Sequence, residues 1–311
     1  MTPPATPRPT QVFGNFELLA QLGKGGMAEV YRAKVLSGRY EGWQVALKRL
    51  LPSLVKDPAS VELFIREADL STQLDHPNIV KVLDVGIAEN TYYIVMELVD
   101  GRDLGQVLRR CKHRGIPLPV DFAVYLGKVL LDALAYAHTA TGPRGDALGI
   151  VHCDVSPSNL FISRIGEIKL GDFGVARVFV DGSRDGEEVL GKPYYLSPES
   201  LQGRVTPEAD LWAATVVLYE LLTLERPFTG NTPEEVFFNI RHRRYRPLHV
   251  LRPEIPESLE EVLSRGFAER AEDRFPTAEA YAQALTPHYD ERVGTPLAIA
   301  ALVRGLFGTS D

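Results

Sequence analysis

Residues 151–159 read Val151-His152-Cys153-Asp154-Val155-Ser156-Pro157-Ser158-Asn159, and Gly171-Asp172-Phe173-Gly174 follows. Taken singly, an Asp or Asn in a loop is a turn or capping residue. Here Asp154 and Asn159 are five apart and Asp172 lies thirteen beyond Asn159. In this order the three supply what phosphoryl transfer needs. A carboxylate accepts the proton of an attacking hydroxyl, and two oxygen donors hold magnesium against phosphates.

Upstream, Val45-Ala46-Leu47-Lys48 lies on an expected strand, and Glu67 follows nineteen residues later on an expected helix. A Lys-Glu pair between strand and helix would aim the ammonium at α- and β-phosphates. Earlier still comes Leu22-Gly23-Lys24-Gly25-Gly26-Met27-Ala28-Glu29-Val30. Its glycines let a backbone approach phosphates and adopt positive φ. Alone this signal is weak, and Ala28 stands where a G-x-G-x-x-G pattern has its third glycine.

Taken together, these segments resemble the protein kinase family, specifically bacterial eukaryotic-like (Hanks-type) serine/threonine kinases. The resemblance runs from Phe16 to His288. It includes His76-Pro77-Asn78-Ile79-Val80, Met96-Glu97-Leu98-Val99, Ser197-Pro198-Glu199, Asp210-Leu211-Trp212 and Asp273-Arg274-Phe275. It implies an α+β, bilobal fold: a small β-rich N-lobe, a larger helical C-lobe, and the ATP cleft between them. It also implies ATP with Mg²⁺, or Mn²⁺, and a protein substrate bearing Ser or Thr. Gly23 to Val30 would cover the phosphates. Leu22, Val30, Ala46 and Phe161 would pack on the nucleotide, with Lys24, Gly25 and Gly26 in the covering loop. Met96 would be the gatekeeper, Glu97 and Val99 would hydrogen-bond adenine, and Asp103 would reach the ribose. Lys48 and Glu67 would form the ion pair, Asp154 would be the base, and Asn159 and Asp172 would be the metal ligands. Glu199 would pair with Arg274, and Asp210 would brace the 151–159 loop.

The chain departs from that family in four places. Cys153 replaces the Arg of His-Arg-Asp, which commonly binds a phosphorylated activation loop. Between Gly174 and Gly191 the single hydroxyl is Ser183, set among acidic residues. Activity independent of loop phosphorylation is therefore expected. Ser156 stands where the family has Lys, and Lys192 where it has Thr. This reads as an exchange in which Lys192 supplies the cation beside Asp154 and Ser156 the hydroxyl. Ser71 stands four residues after Glu67, where a larger apolar residue is usual, so the helix carrying Glu67 could tilt outward. These departures keep open a second reading, a pseudokinase scaffold that binds nucleotide or a regulatory partner without efficient transfer.

The rest of the chain sets the frame. Pro3, Pro4, Pro7 and Pro9 mark residues 1–15 as an expected disordered tail. The N-lobe is expected over 16–98, the C-lobe over 99–288, and a helical extension over 289–311. In that extension Leu297, Ala301, Leu302 and Leu306 fall at helical spacing. A net charge of -7 argues against nucleic acid as the main partner. The cluster Arg241 to Arg246 reads as a solvated turn. Two cysteines without a Cys-x-x-Cys pair fit a reducing cytosol. The apolar runs are too short to span a bilayer, so no membrane and a cytoplasmic location are expected.

Overall fold

The β-rich runs of the N-terminal part build one antiparallel sheet. Its strands are β1 (Gln11–Phe13), β2 (Phe16–Lys24), β3 (Ala28–Val35), β4 (Gln44–Leu50), β5 (Val82–Ala88) and β6 (Thr91–Glu97), ordered β1-β2-β3-β4-β6-β5. The structure is a computed structural model and describes residues 11–173 and 193–308. Period-2 alternation puts Phe16, Leu18, Ala33, Val35, Val45, Leu47 and Val95 into one buried cluster. Phe13 joins it at 2% exposure. Burying Phe13 fixes β1 against β2, so residues 11–15 do not belong to a disordered tail as expected.

The other cluster is completed by helix α1 (Pro58–Ser71), whose Phe64 and Ala68 pack with Ala28, Leu50 and Ile94. Asp57 caps it by accepting the Ser60 amide at 3.1 Å, and Pro58 opens it. Those two residues start the helix. This sheet and α1 form one compact unit, up to Asp75 together with Val80–Val99.

The second unit takes His76–Ile79 and the chain from Asp100 onward. His76–Ile79 was expected in the N-lobe. Asn78 explains the reassignment: its Nδ2 donates to the Ile168 carbonyl at 2.9 Å, and its own carbonyl accepts the Leu170 amide at 2.8 Å. His76 stacks on Tyr136. A small sheet of β7 (Gly101–Asp103), β8 (Leu160–Ser163) and β9 (Ile168–Leu170) lies in this unit. The remainder is helical: α2 (Leu104–Arg114), α3 (Val120–Thr139), α4 (Pro207–Thr223), α5 (Pro233–Arg241), α6 (Leu248–Leu251), α7 (Glu257–Gly266), α8 (Ala278–Leu285) and α9 (Pro296–Phe307).

Helix α4 is buried on every side from Asp210 to Leu222, as its all-round apolar sequence demands. Trp212 stacks on Phe228 at 5.4 Å and meets Phe267 edge-on at 5.2 Å. Beside it Arg274, 1% exposed, holds Glu199 through two bonds of 2.6 and 2.9 Å. The same guanidinium donates to the carbonyls of Ala268 and Glu208.

Helix α9 packs on this unit with Ile299, Ala300, Val303 and Leu306 buried. The expected face is therefore out of phase: Leu297 is 74% exposed and Ala301 is exposed, while Leu306 is buried. Packing is set by Gly166, where a Cβ would fall 1.9 Å from the Pro296 carbonyl. It is also set by Arg110, which donates to the Leu306 carbonyl at 2.9 Å. No helix among the described residues is long and apolar enough to cross a membrane.

Candidate active site

In the first unit, Lys48 of β4 and Glu67 of α1 meet at 2.5 Å, with side chains 13% and 15% exposed. The pair is closed although Ser71, half-buried at the end of α1, is small.

The glycine-bearing hairpin lies on the same sheet. Gly23 pairs with Val30, and the Gly25 amide donates to the Ala28 carbonyl at 2.8 Å. Neither Gly23 nor Gly25 has positive φ, contrary to expectation, and a Cβ on either would meet no clash. The fold itself does not require glycine there.

Leu22 is 53% exposed, and Lys24 turns to Glu29 at 3.2 Å. Tyr31, which donates to the Glu29 carboxyl, holds it below the usual carboxylate range, with Lys24 and Arg49 adding to this. Ala46, 8% exposed, pairs with Met96 across β4 and β6. Glu97 spends its amide on the Lys81 carbonyl at 2.9 Å. Val99 is half-buried at the end of this unit.

In the second unit, the 151–159 loop is held from below by Asp210. Its carboxylate accepts the amides of His152 at 2.8 Å and Cys153 at 3.0 Å, and it meets His138 Nε2 at 2.8 Å. Asp210 is 2% exposed, and these contacts answer its buried charge. Cys153 takes φ +65° to turn the chain there. Burial raises its thiol pKa, with the Asp210 and Asp154 carboxylates pushing the same way, which disfavours the reactive thiolate.

His152 is fully buried against Phe173, with ring centroids 4.5 Å apart. Its Nδ1 accepts the Asp154 amide at 3.2 Å and its Nε2 donates to the Gly171 carbonyl at 3.1 Å. Burial holds this imidazole below its usual 6.5 despite neighbouring carboxylates. One ring therefore sets both Asp154 and the 171–173 segment.

Asn159, 5% exposed, donates to both the main chain and the carboxylate of Asp154. The Gly171 amide donates to the Asn159 carbonyl at 2.8 Å, and Asp172 follows at φ +54°. Left-handed backbone at a non-glycine residue is a strained position that functional sites retain. Ser156 is 1% exposed and contacts Ser158 Oγ at 3.3 Å.

Asp103 caps α2 by accepting the Gln106 amide at 2.8 Å, a structural role the sequence reading did not assign. It pairs across β7 and β8 with Phe161. Lys192, Gly174 to Gly191 with Ser183, and the Pro-rich residues 1–10 lie outside the described residues.

Sequence reasoning missed His138, and it missed Glu220 with its partners. Glu220 is buried and accepts from Tyr195 at 3.0 and 3.1 Å. Burial raises its carboxyl pKa, while Arg226 at 3.3 Å opposes this. Arg226 in turn lies over the Tyr194 ring. No sequence spacing announces this cluster.

The donor set of Asn159 and Asp172 is all oxygen, which suits magnesium, an ion that keeps waters and phosphate ligands and takes few protein groups. Among the described residues no group of three His, Cys, Asp or Glu could hold a metal by itself.

The chain is similar to known proteins. The family described as "Protein kinase domain" matches residues 16–285. The chain is 38% identical over 99% of its length to "Tyrosine-protein kinase MasK" of Myxococcus xanthus, covering 50% of that protein. It is 34% identical over 86% of its length to "Serine/threonine-protein kinase PrkC" of Bacillus subtilis, covering 40% of it. It thus spans half or less of the length of these curated relatives. The crystal structure of the Mycobacterium tuberculosis PknI kinase domain is similar at a TM-score of 0.66 and 26% identity. That likeness covers 91% of this chain and 100% of the other.

Proposed function

Because the chain belongs to the protein kinase domain family, we propose that it transfers the γ-phosphate of ATP to a protein serine or threonine hydroxyl. The observation that supports this most is the join between Asp154 and Asn159, with Asp172 tethered to the same loop through Gly171. The closed Lys48–Glu67 pair adds a cation held ready for phosphate oxygens.

In the proposed reaction a substrate hydroxyl loses its proton to the Asp154 carboxylate as its oxygen bonds to the γ-phosphorus. The bond from that phosphorus to the β–γ bridging oxygen breaks, and ADP leaves. Asp210, His138 and His152 hold Asp154 in place. Magnesium, held by Asn159 and Asp172, would supply charge neutralisation on the phosphate oxygens. Leu22, Val30, Ala46, Met96, Val99 and Phe161 would pack around the nucleotide, with Asp103 toward the ribose. We place the reaction in the cytoplasm, where ATP is supplied.

A second acceptor reading has a specific motive, since MasK is named a tyrosine kinase and aligns over nearly the whole chain. The test is transfer of labelled phosphate from ATP and magnesium to peptides whose single hydroxyl is Ser, Thr or Tyr. Asp154→Asn is the control. Transfer to Ser or Thr that the control abolishes supports the proposal. Transfer to Tyr alone replaces the acceptor class. Nucleotide binding without any transfer would favour a scaffold.

A further inference from the structure

An open depression of about 1260 Å³ in the larger unit begins beside Ser156 and Ser158. One wall is a stripe of α2. Gly105, Leu108, Arg109 and Lys112 recur at helical spacing and so present one face to it. Arg244 lines it as well.

Five basic and two acidic side chains line the depression. Both acids are already engaged: Glu220 by Arg226 at 3.3 Å, and Glu225 by Arg246 at 3.4 Å. Arg109 and Lys112, both exposed, make no ion pair among the described residues, and Arg244 lies over the Phe238 ring. The chain as a whole is acidic, with net charge -7. A basic groove on an acidic protein concentrates field where it is lined.

We propose that this groove receives the polypeptide flanking the phosphoacceptor hydroxyl and selects acidic sequence. Asp or Glu side chains of the substrate meet Arg109, Lys112 and Arg244, which line the groove. The proposal rests on reading the chain as a protein kinase. Glu220 cannot act as a receptor for basic substrate residues, because Arg226 occupies it within the chain. The specificity is therefore carried by the cations that remain.

The test uses three acceptor peptides that differ only in flanks of Glu, Gln or Lys, with wild type and an Arg109→Glu/Lys112→Glu variant. Each exposed charge contact is worth on the order of 2- to 5-fold, so wild type is expected to favour the Glu peptide over the Gln peptide about tenfold in kcat/KM. The variant is expected to lose that preference and to gain on the Lys peptide, a gain that damaged folding cannot produce. Equal use of the three peptides by wild type, or a variant that keeps the Glu preference, overturns the groove assignment alone. No transfer to any peptide, with wild type matching Asp154→Asn, overturns the kinase reading and the groove with it.

Discussion

Asn159 uses one amide nitrogen twice, donating to the Asp154 main-chain oxygen at 2.8 Å and to its carboxylate at 2.9 Å. This fixes the amide with nitrogen toward the base and Oδ1 on the other side. The proposed base and the proposed metal ligand are thus oriented by one contact. Asn159→Ala is expected to lower kcat by about 10²-fold or more, and the Asp154→Asn/Asn159→Ala double to lose little beyond the worse single variant. Steady-state kinetics on the set checks this. Losses that multiply would show that the two residues act separately.

Lys48 and Glu67 form a second unit of this kind on the other part of the chain. Glu67→Ala leaves the ammonium without its guide, so kcat/KM for ATP is expected to fall by about 10²-fold. The Lys48→Ala/Glu67→Ala double should be no worse than Lys48→Ala. Kinetics at varied ATP measures both.

His152 gives the protein an acid limit. Its Nδ1 accepts the Asp154 amide, so a proton there would set two hydrogens against each other. Its folded pKa lies below the usual 6.5, so the unfolded chain binds a proton first as pH falls. The stability this group contributes is complete above 6.5 and is lost as pH falls below it. His76 and His288, lowered by burial, act in the same direction. The denaturation midpoint is expected to drop between about pH 7.5 and about pH 5.5, less steeply in His152→Gln. Parallel profiles for the two proteins would remove His152 as the cause.

Glu199 feels burial, which pushes its carboxyl up, but the two bonds and the charge of Arg274 bring it below the usual range. Removing one partner leaves the other buried and charged. Glu199→Ala is expected to cost about 3–5 kcal/mol in urea denaturation, far more than an exposed pair such as Arg270–Glu272.

Ser156 is buried at 1% exposure. If Lys192 supplies the missing cation beside Asp154, Lys192→Ala should lower kcat by about 10²-fold or more. Pairing Ser156→Lys with Lys192→Thr should return part of that loss, limited by the room around position 156. A Lys192→Ala variant as active as wild type would sink the exchange.

The sequence reading reached the parts of this molecule that follow from local order. Val45 to Lys48 lies on a strand and Glu67 on a helix, as read, because period 2 and period 3.6 mark buried faces. The Glu199–Arg274 pair and the Asp210 brace were legible because each sits in a distinctive short motif. The misses come from contacts between distant segments. Phe13 is ordered by a cluster it shares with β3, β4 and β6. The phase of α9 is set by Gly166 and Arg110, both far upstream. The Arg241 to Arg246 run is an exposed turn after α5, as read, and what the sequence did not announce is that its Arg244 and Arg246 line a groove with Arg109, Lys112 and Arg226. Only folding brings those cations together.

The Glu199–Arg274 contact spans 75 residues of chain. Closing so long a loop costs entropy before the contact returns anything, so the bond is expected to form late in folding. Stabilisation that arrives late slows unfolding rather than speeding folding. The buried pair would then act as a timer, and the expected mark of it is faster proteolysis of Glu199→Ala than its loss of equilibrium stability alone explains.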